Sequence, residues 1–285
     1  MSLKKIWKFA KKNYFITASF AVILFVGIVS FYKLFAAKPT YVYTKVKLGQ
    51  GLWWSLQIRP NIWFATSLKK GDKEYDLLGK PAAEILGVKY YPYYYPDQYD
   101  VYLTVRLKTS YNKKSDKYLF KRSSVSVGAP IELEFSSAQV SGTVIDLSSK
   151  EFADKYIEKT IYLTKKSAYP WEYDAIKIGD KYFDGENNVF EILGKSASDN
   201  PSLSVDRFSV NDYIPSTENL GPAYPVIPEV IPEGKKYIVV KAKILVKEKN
   251  NQLLFGEEQT IRPGKLFNLF TSNFAFNDFV VGKIE

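Results

Sequence analysis

Hydrophobic positions along the 285-residue chain follow two patterns. The first is a run of twenty uncharged, mostly apolar residues, 13–32, lying between Lys12 and Lys33. As a helix this run would measure about 30 Å, the thickness of a bilayer's hydrocarbon core. The second pattern appears beyond residue 40, where short runs alternate apolar and polar residues between Gly turns, as in Val101–Leu107. Alternation of this kind predicts strands with one buried face, and so a mainly β region.

The charge distribution predicts how the apolar run is oriented. The formal net charge is +10, yet the first acidic residue is Asp72. The basic residues before it include a group of lysines ahead of the run: Lys4, Lys5, Lys8, Lys11 and Lys12. Because positive residues stay on the cytoplasmic side, we expect a cytoplasmic basic tail (1–12), a single transmembrane anchor (13–37) flanked by Lys11, Lys12 and Lys33, and extracytoplasmic domains at the cell membrane.

Two other kinds of N-terminal segment compete with an uncleaved anchor. A signal peptide has a shorter apolar core and a small-x-small cleavage site, whereas the best site here, Phe35-Ala36-Ala37, places a bulky Phe first. A type IV pilin would carry a Glu near the start of its helix, and no acidic residue precedes Asp72. The anchor is therefore favoured, with the signal peptide as the alternative.

The region beyond the anchor contains an internal repeat. Trp63, Gly71, Asp72, Lys73 and Asp76 match residues 108 positions further along, which are Trp171, Gly179, Asp180, Lys181 and Asp184. Later segments match in the same order: 84–87 with 191–194, and the strand 101–107 with 238–244. We expect two tandem, internally repeated small β-barrel or sandwich-like domains, 41–148 and 160–285, joined by a linker or short helix at 149–159.

Glycine and aspartate at matching positions of the repeat predict turns. Gly71-Asp72 and Gly179-Asp180 each follow a lysine-containing run and precede a short strand. Glycine tolerates positive φ, and an Asp side chain can accept hydrogen bonds from nearby backbone N–H groups. We therefore assign these four residues a structural role.

The two copies differ most at one loop. The second copy carries a Pro-rich insertion, 196–235, where the first has a short loop rich in tyrosine, 90–99. Long loops on rigid scaffolds often carry function, and Tyr suits protein interfaces and sugar stacking. The alternative is that these rings cover the end of their own barrel. The candidate partner-binding residues are Tyr91, Tyr93, Tyr94, Tyr95, Tyr99, Tyr213 and Tyr224.

Composition excludes several chemistries, since the chain has no Cys and no His. A disulfide, a thiolate nucleophile and a Ser-His-Asp triad are therefore impossible. Ser67 and Lys70 have Ser-x-x-Lys spacing without companion motifs. Glu132 and Glu134 match Asn268 and Phe270 in the other copy, so the carboxylate pair is not repeated. Residues 184–188 suit a hairpin better than a calcium loop. We predict no catalytic residue, no cofactor and no metal, and no nucleic-acid partner because the outer region is nearly neutral.

The run Pro170–Asp180, with its Ala-Ile-Lys-x-Gly-Asp turn, resembles a family of uncharacterised bacterial single-span membrane proteins. The resemblance implies a β-rich extracytoplasmic domain after an N-terminal anchor, and it implies no activity. We expect a non-enzymatic envelope scaffold whose partners are the lipid bilayer and an envelope protein or cell-wall polymer, with a homo-oligomer as a further candidate. The alternatives are a carboxylate-dependent hydrolase of wall polymer, with Glu132 and Asp180 as the residues to test, and a subunit of a secretion or efflux assembly.

Overall fold

A computed structural model describes residues 14–36, 40–49, 59–93, 97–199 and 234–285. The first element is helix α1, Tyr14–Ala36. Apolar side chains are exposed along it, from Phe15 to Tyr32. Over the described ranges, no helix combines the length and the apolar character needed to cross a membrane.

Unit one is the first eight-stranded antiparallel sheet. Its strands pair in the order β2-β3-β4-β1-β8-β7, and β5 extends from β4 and pairs with β6. The bounds of its elements are β1 Thr40–Leu48, α2 Ile62–Ser67, β2 Lys73–Tyr75, β3 Pro81–Pro92, β4 Tyr99–Asn112, β5 Lys117–Phe120, β6 Ser123–Val125, β7 Pro130–Glu134 and β8 Gln139–Ser148.

Unit two repeats this topology element by element, in the order β10-β11-β12-β9-β16-β15, with β13 and β14 attached as β5 and β6 are. Its elements are β9 Tyr156–Ala168, α3 Pro170–Ala175, β10 Lys181–Phe183, β11 Asn188–Ser198, β12 Lys236–Lys249, β13 Gln252–Phe255, β14 Gln259–Thr260, β15 Leu266–Phe267 and β16 Phe279–Ile284. The protein is thus mainly β, with two curled antiparallel sheets.

The connection between the units is predicted to be a linker or a short helix at 149–159. Residues 151–155 are irregular, and β9 begins at Tyr156, so no helix forms there. This strand lies between β12 and β16 in the second sheet. Residues 156–159 pair with β12, so tertiary context overrides the local helical tendency there.

Matching turns in the two units have matching hydrogen bonds. The N–H of Gly71 donates to the Ile85 carbonyl, and that of Gly179 donates to the Ile192 carbonyl, both over 2.8 Å. These glycines have φ of 93° and 86°, in the left-handed region. A β-bulge follows in each unit, between Ile85 and Gly87 and at the equivalent residues of β11. The repeat therefore extends to details of the backbone.

Each unit has its own core, and the cores differ in composition. The core of unit one is largely aliphatic, with Ile85, Leu103 and Leu107 fully buried. Unit two is more aromatic, and its core rings include Phe190, Phe255, Phe267, Phe276 and Phe279. Tyr91, which belongs to β3 of unit one, packs against the core of unit two. The units are therefore joined through a side chain that crosses from one to the other.

The strand register defines two ends for each unit. The near end of unit one is where β1 begins, because Thr40 lies opposite Thr109 and Lys108 binds Asp76 beside the β2–β3 turn. The far end contains the end of β3 and the start of β4, where Pro92 lies opposite Tyr99. The near end of unit two is the start of β9 and the end of β12, with the β10–β11 turn. It contacts the far half of unit one, so the units follow one another head to tail.

Candidate functional site

The junction between the units is built on a hairpin turn of unit two. Both Asp184 carboxylate oxygens are used there: Oδ1 accepts from the N–H groups of Glu186 and Asn187, and Oδ2 accepts from Tyr91. Gly185 follows with φ of 105°. This local turn chemistry shapes the β10–β11 tip so that it fits against the end of β3.

Main-chain groups hold this tip on unit one. The N–H of Tyr90 donates to the Asp184 carbonyl over 2.8 Å, and the Tyr182 hydroxyl donates to the Tyr90 carbonyl over 2.8 Å. A Cβ on Gly185 would lie 2.7 Å from the carbonyl oxygen of Val88. The two backbones therefore approach as closely as a glycine allows.

Tyr91 is the aromatic centre of the junction. Its hydroxyl donates to Asp184 Oδ2 over 2.7 Å, and its ring centroid lies 5.9 Å from that of Phe255 and 6.4 Å from that of Tyr182. Burial, and then the negative charge of Asp184, raise the pKa of Tyr91 well above its usual range. The ring thus remains a neutral hydrogen-bond donor at physiological pH.

Beside Tyr91 lies a cluster of charges drawn from both units. Lys45 and Lys89 come from unit one, Lys247 and Glu257 from unit two, and Asp154 from the connection. Lys45 Nζ lies 3.0 Å from Glu257 Oε2, and Lys247 Nζ lies 2.8 Å from Asp154 Oδ1 and 3.3 Å from Glu257 Oε2. Glu257 and Asp154 therefore each bind lysines of both units.

The pKa shifts follow from burial and from these pairings. Burial alone would raise the pKa of Glu257, but Lys45, Lys247 and Lys89 outweigh it and lower that pKa. Burial would likewise raise the pKa of Asp154, but Lys247 and Lys45 outweigh it and lower that pKa. The pKa of Lys45 is raised because Glu257 and Asp154 outweigh its desolvation, whereas desolvation and the neighbouring Lys45 lower the pKa of Lys247.

Two cavities flank the junction. The larger, about 760 Å³, is mainly polar and is lined on one side by Lys45, Lys89 and Glu186. The smaller, about 540 Å³, lies where Tyr93 and Tyr102 of unit one face Phe270 of unit two. The Arg59 guanidinium stacks 3.4 Å from the centre of the Tyr93 ring. The junction thus presents a charged recess and an aromatic one.

The structure places three of the tyrosines predicted to bind a partner. Tyr91 lies within the junction, Tyr93 borders the smaller cavity, and Tyr99 packs against Tyr90 with ring centroids 6.1 Å apart. Tyr91 therefore contacts the second unit of the same chain. The remaining predicted residues lie outside the described residues or side chains: Tyr94, Tyr95, Tyr213, Tyr224, Lys11, Lys12 and Lys33.

Of the residues considered for catalysis, Ser67 and Asp180 form hydrogen bonds within their own unit, and Glu132 is exposed. Ser67 Oγ donates to the Phe64 carbonyl over 2.7 Å. Asp180 accepts from Thr271 over 2.6 Å, as Asp72 accepts from Ser137 over 2.6 Å in unit one. Glu132 is an exposed strand residue of unit one. In the part of the chain that the structure describes, no His, Cys, Asp or Glu residues form a group of three suited to a metal ion.

The charge cluster was not predicted from the sequence, although a signal for it exists. Lys45 and Glu257 are 212 positions apart and share no motif. The strand register nevertheless aligns the cluster with different residues in the other copy. The aligned pairs are Lys45 with Tyr162, Lys89 with Ser196, Lys247 with Ser110 and Glu257 with Arg122. Sequence differences between the copies therefore mark the surface on which they meet.

The far end of unit two has a second concentration of aromatic residues. The Pro-rich insertion leaves β11 and re-enters at β12 there, since Ser198 lies opposite Tyr237. Nearby, Trp171 and Tyr169 are 62% and 50% exposed, and the Lys235 ammonium lies 4.5 Å from the centre of the Tyr169 ring. Exposed aromatic rings at the base of a long insertion form a surface suited to recognition.

Comparison of the chain with protein-family models, curated proteins and solved structures finds no match. Function is therefore inferred from the geometry of the two units and from the ways in which they differ.

Proposed function

We propose that the protein is a non-enzymatic scaffold of the cell envelope, anchored in the membrane by its N-terminal segment, whose two β units hold a binding surface away from the bilayer. The observation that carries the proposal is the position of the insertion. It leaves unit two at the far end, while the near end of that unit is fixed to unit one through Tyr91 and Asp184. The two points at which the insertion joins the sheet, Ser198 and Tyr237, thus lie at the end of a two-unit body.

The anchor is supported by the uncharged run and its flanking lysines. Helix α1 covers most of this run, and its described apolar side chains are exposed. An apolar environment around them would remove the free-energy cost of their contact with water. The run also includes Asn13 and Phe31, whose side chains lie beyond the described part of the chain.

The binding surface consists of the insertion together with Trp171 and Tyr169. Large aromatic side chains contribute much contact area with few rotatable bonds, which suits either an envelope protein or a wall polymer. The equivalent tryptophan of unit one, Trp63, is 67% exposed as well. It lies on α2 of unit one, whereas the insertion belongs to unit two, and so it provides a matched control.

The test compares three variants of the full chain, each expressed in the native envelope and cross-linked before solubilisation. Deletion of residues 200–233 and the substitution Trp171→Ala should each abolish recovery of a partner that the unchanged protein retains. The substitution Trp63→Ala should leave recovery intact. An unchanged set of cross-linked partners after the deletion would contradict a role for the insertion.

The same preparations address the competing functions. Turnover of peptidoglycan that Asp180→Asn or Glu132→Gln abolishes would indicate a hydrolase. A fixed stoichiometry with another membrane protein would indicate a subunit of a secretion or efflux assembly. Extraction of the protein by alkaline carbonate would contradict the anchor, since a single apolar span resists such treatment.

A further inference from the structure

The near end of unit one, defined above, lies close to α1. Residues 37–39 are all that separates the last residue of α1, Ala36, from the first residue of β1, Thr40. Even fully extended, this connection spans at most about 14 Å. Whatever surface surrounds the outer end of α1 therefore lies within that distance of the start of β1.

Two leucines project at this same end. Leu77 and Leu78 occupy the β2–β3 turn, where Leu77 is fully exposed and Leu78 is 67% exposed. The turn is fixed in place because Asp76 accepts from the N–H groups of Leu78 and Lys80 and binds Lys108, 3.0 Å away. Two adjacent leucines on a well-formed turn are costly in water.

The equivalent turn of unit two shows what this position does when it is occupied. There, Gly185 and Glu186 stand in place of the two leucines, and the turn is pressed against β3 of unit one. In unit two this end of the sheet therefore forms a contact. In unit one the same end has diverged to carry apolar side chains.

The charge at the two near ends has the opposite sign. The β13–β14 turn of unit two carries Glu257 and Glu258, which bind lysines of unit one. The matching β5–β6 turn of unit one carries Lys121 and Arg122, both exposed. Further exposed lysines lie on the neighbouring β4–β5 turn and on β5: Lys113, Lys114 and Lys117.

Aromatic residues complete this surface. Tyr41, Tyr75 and Tyr111 are 42%, 58% and 44% exposed at the near end of unit one. Leucines on a turn, tyrosines around them and lysines beyond are the combination that lies stably at a membrane surface, with apolar groups among the lipids and cations at the phosphates. The acidic residues here are fewer, and Glu74 and Asp76 already bind Lys121 and Lys108.

We propose that the near end of unit one rests on an anionic phospholipid bilayer, with Leu77 and Leu78 inserted among the lipid headgroups. This inference rests on the proposed anchor, because α1 brings unit one to the membrane. The second contact fixes the tilt of the two-unit body, so that the far end of unit two is held at a defined distance from the bilayer instead of swinging on residues 37–39.

The absence of cysteine makes a direct test possible. Single cysteines are introduced as Leu77→Cys, Leu266→Cys and Leu24→Cys in the full chain and labelled with an environment-sensitive fluorophore. Leu266 is a matched control, since it is a 55% exposed leucine of unit two, and Leu24 reports on α1. Each protein is reconstituted in vesicles of phosphatidylglycerol and phosphatidylcholine and exposed to a lipid-borne quencher.

We expect the labels at Leu77 and Leu24 to be blue-shifted and quenched, and the label at Leu266 to be neither. Adding Arg122→Glu, or using phosphatidylcholine alone, should reduce quenching at Leu77 without changing it at Leu24. A solvent-exposed label at Leu77 with a protected label at Leu24 would overturn this inference and leave the anchor standing. Exposure of both labels would reject the anchor itself. Protection at Leu77 that disappears on dilution into excess lipid would indicate a second copy as the occupant and would also overturn the inference.

Discussion

The hydroxyl of Tyr91 in unit one donates a 2.7 Å hydrogen bond to the carboxylate of Asp184 in unit two. Asp184 is the counterpart of Asp76, and both aspartates accept from backbone N–H groups of their own turn. In unit one the second oxygen of Asp76 binds Lys108 of the same sheet, whereas in unit two the second oxygen of Asp184 binds the neighbouring unit. This aspartate therefore stabilises a turn in both units, and in unit two it also binds the neighbouring unit.

Loss of this hydrogen bond should weaken the whole protein. Asp184 is 1% exposed, so Tyr91→Phe leaves a buried carboxylate oxygen without its donor. Hydrogen bonds to charged groups contribute about 1.5–3 kcal/mol, and we expect a loss of that size in the free energy of unfolding. Chemical denaturation of the full chain in detergent measures it. Tyr111→Phe is the control, because Tyr111 binds Asp116 at the exposed surface and its loss should cost much less.

The charge cluster should depend on Glu257 far more than on the adjacent glutamate. Glu257 contacts Lys45, Lys89 and Lys247 in a largely buried position. Glu257→Gln would leave Lys45 and Lys247 with Asp154, and Lys89 with Glu186, 3.8 Å away. Breaking a buried ion pair in this way typically costs about 3–5 kcal/mol. The equivalent change at Glu258, which binds Lys47 and whose side chain is 51% exposed, should cost below about 1 kcal/mol. Similar losses for the two variants would contradict the assignment of the cluster to the junction.

Acid should weaken the junction through the same carboxylates. The pKa values of Glu257 and Asp154 are lowered in the folded protein, so their contribution is present above the unfolded-state values and is lost as pH falls through the folded-state values. We therefore expect stability to decline from about pH 5 downward, around the ordinary carboxyl range. The decline should be shallower in Glu257→Gln than in the unchanged protein. Denaturation curves collected across this range test the expectation, and parallel profiles would refute it.

The sequence predicts the fold better than it predicts the junction, for a physical reason. Strands and turns depend on local features, such as the alternation along β4 and the glycine that allows positive φ at Gly71 and Gly179. Contacts between the units depend on residues far apart in the chain, such as Lys45 and Glu257, and no spacing rule connects them. The linker shows the converse, since a short helix is one prediction for 149–159 and residues 156–159 instead begin a strand that pairs with β12.

The tyrosine-rich loop shows that composition can predict a contact without predicting which surface the loop contacts. Composition indicates that residues 90–99 make contacts, and the structure shows Tyr90 and Tyr91 in contact with the other unit of the same chain. Aromatic content identifies a surface that loses water on association, yet it does not distinguish an internal interface from an external one. Comparison of the two copies at Lys89 and Ser196 partly identifies the internal interface, because the charged residue is present only in unit one, where this position faces unit two.

Close approach of the two backbones makes Gly185 a sharper test of the junction than any surface residue. Gly185 and Gly179 both have positive φ, so an alanine at either position is strained by about 1–2 kcal/mol. A Cβ at Gly179 would meet open space, whereas one at Gly185 would lie 2.7 Å from the Val88 carbonyl oxygen and 2.8 Å from the Tyr90 ring. We therefore expect Gly179→Ala to lower stability by the strain alone and Gly185→Ala to lower it further and to separate the units. Denaturation measures the first effect, and protease cleavage within residues 149–155 measures the second. Equal losses, with cleavage unchanged, would show that the units are held together elsewhere.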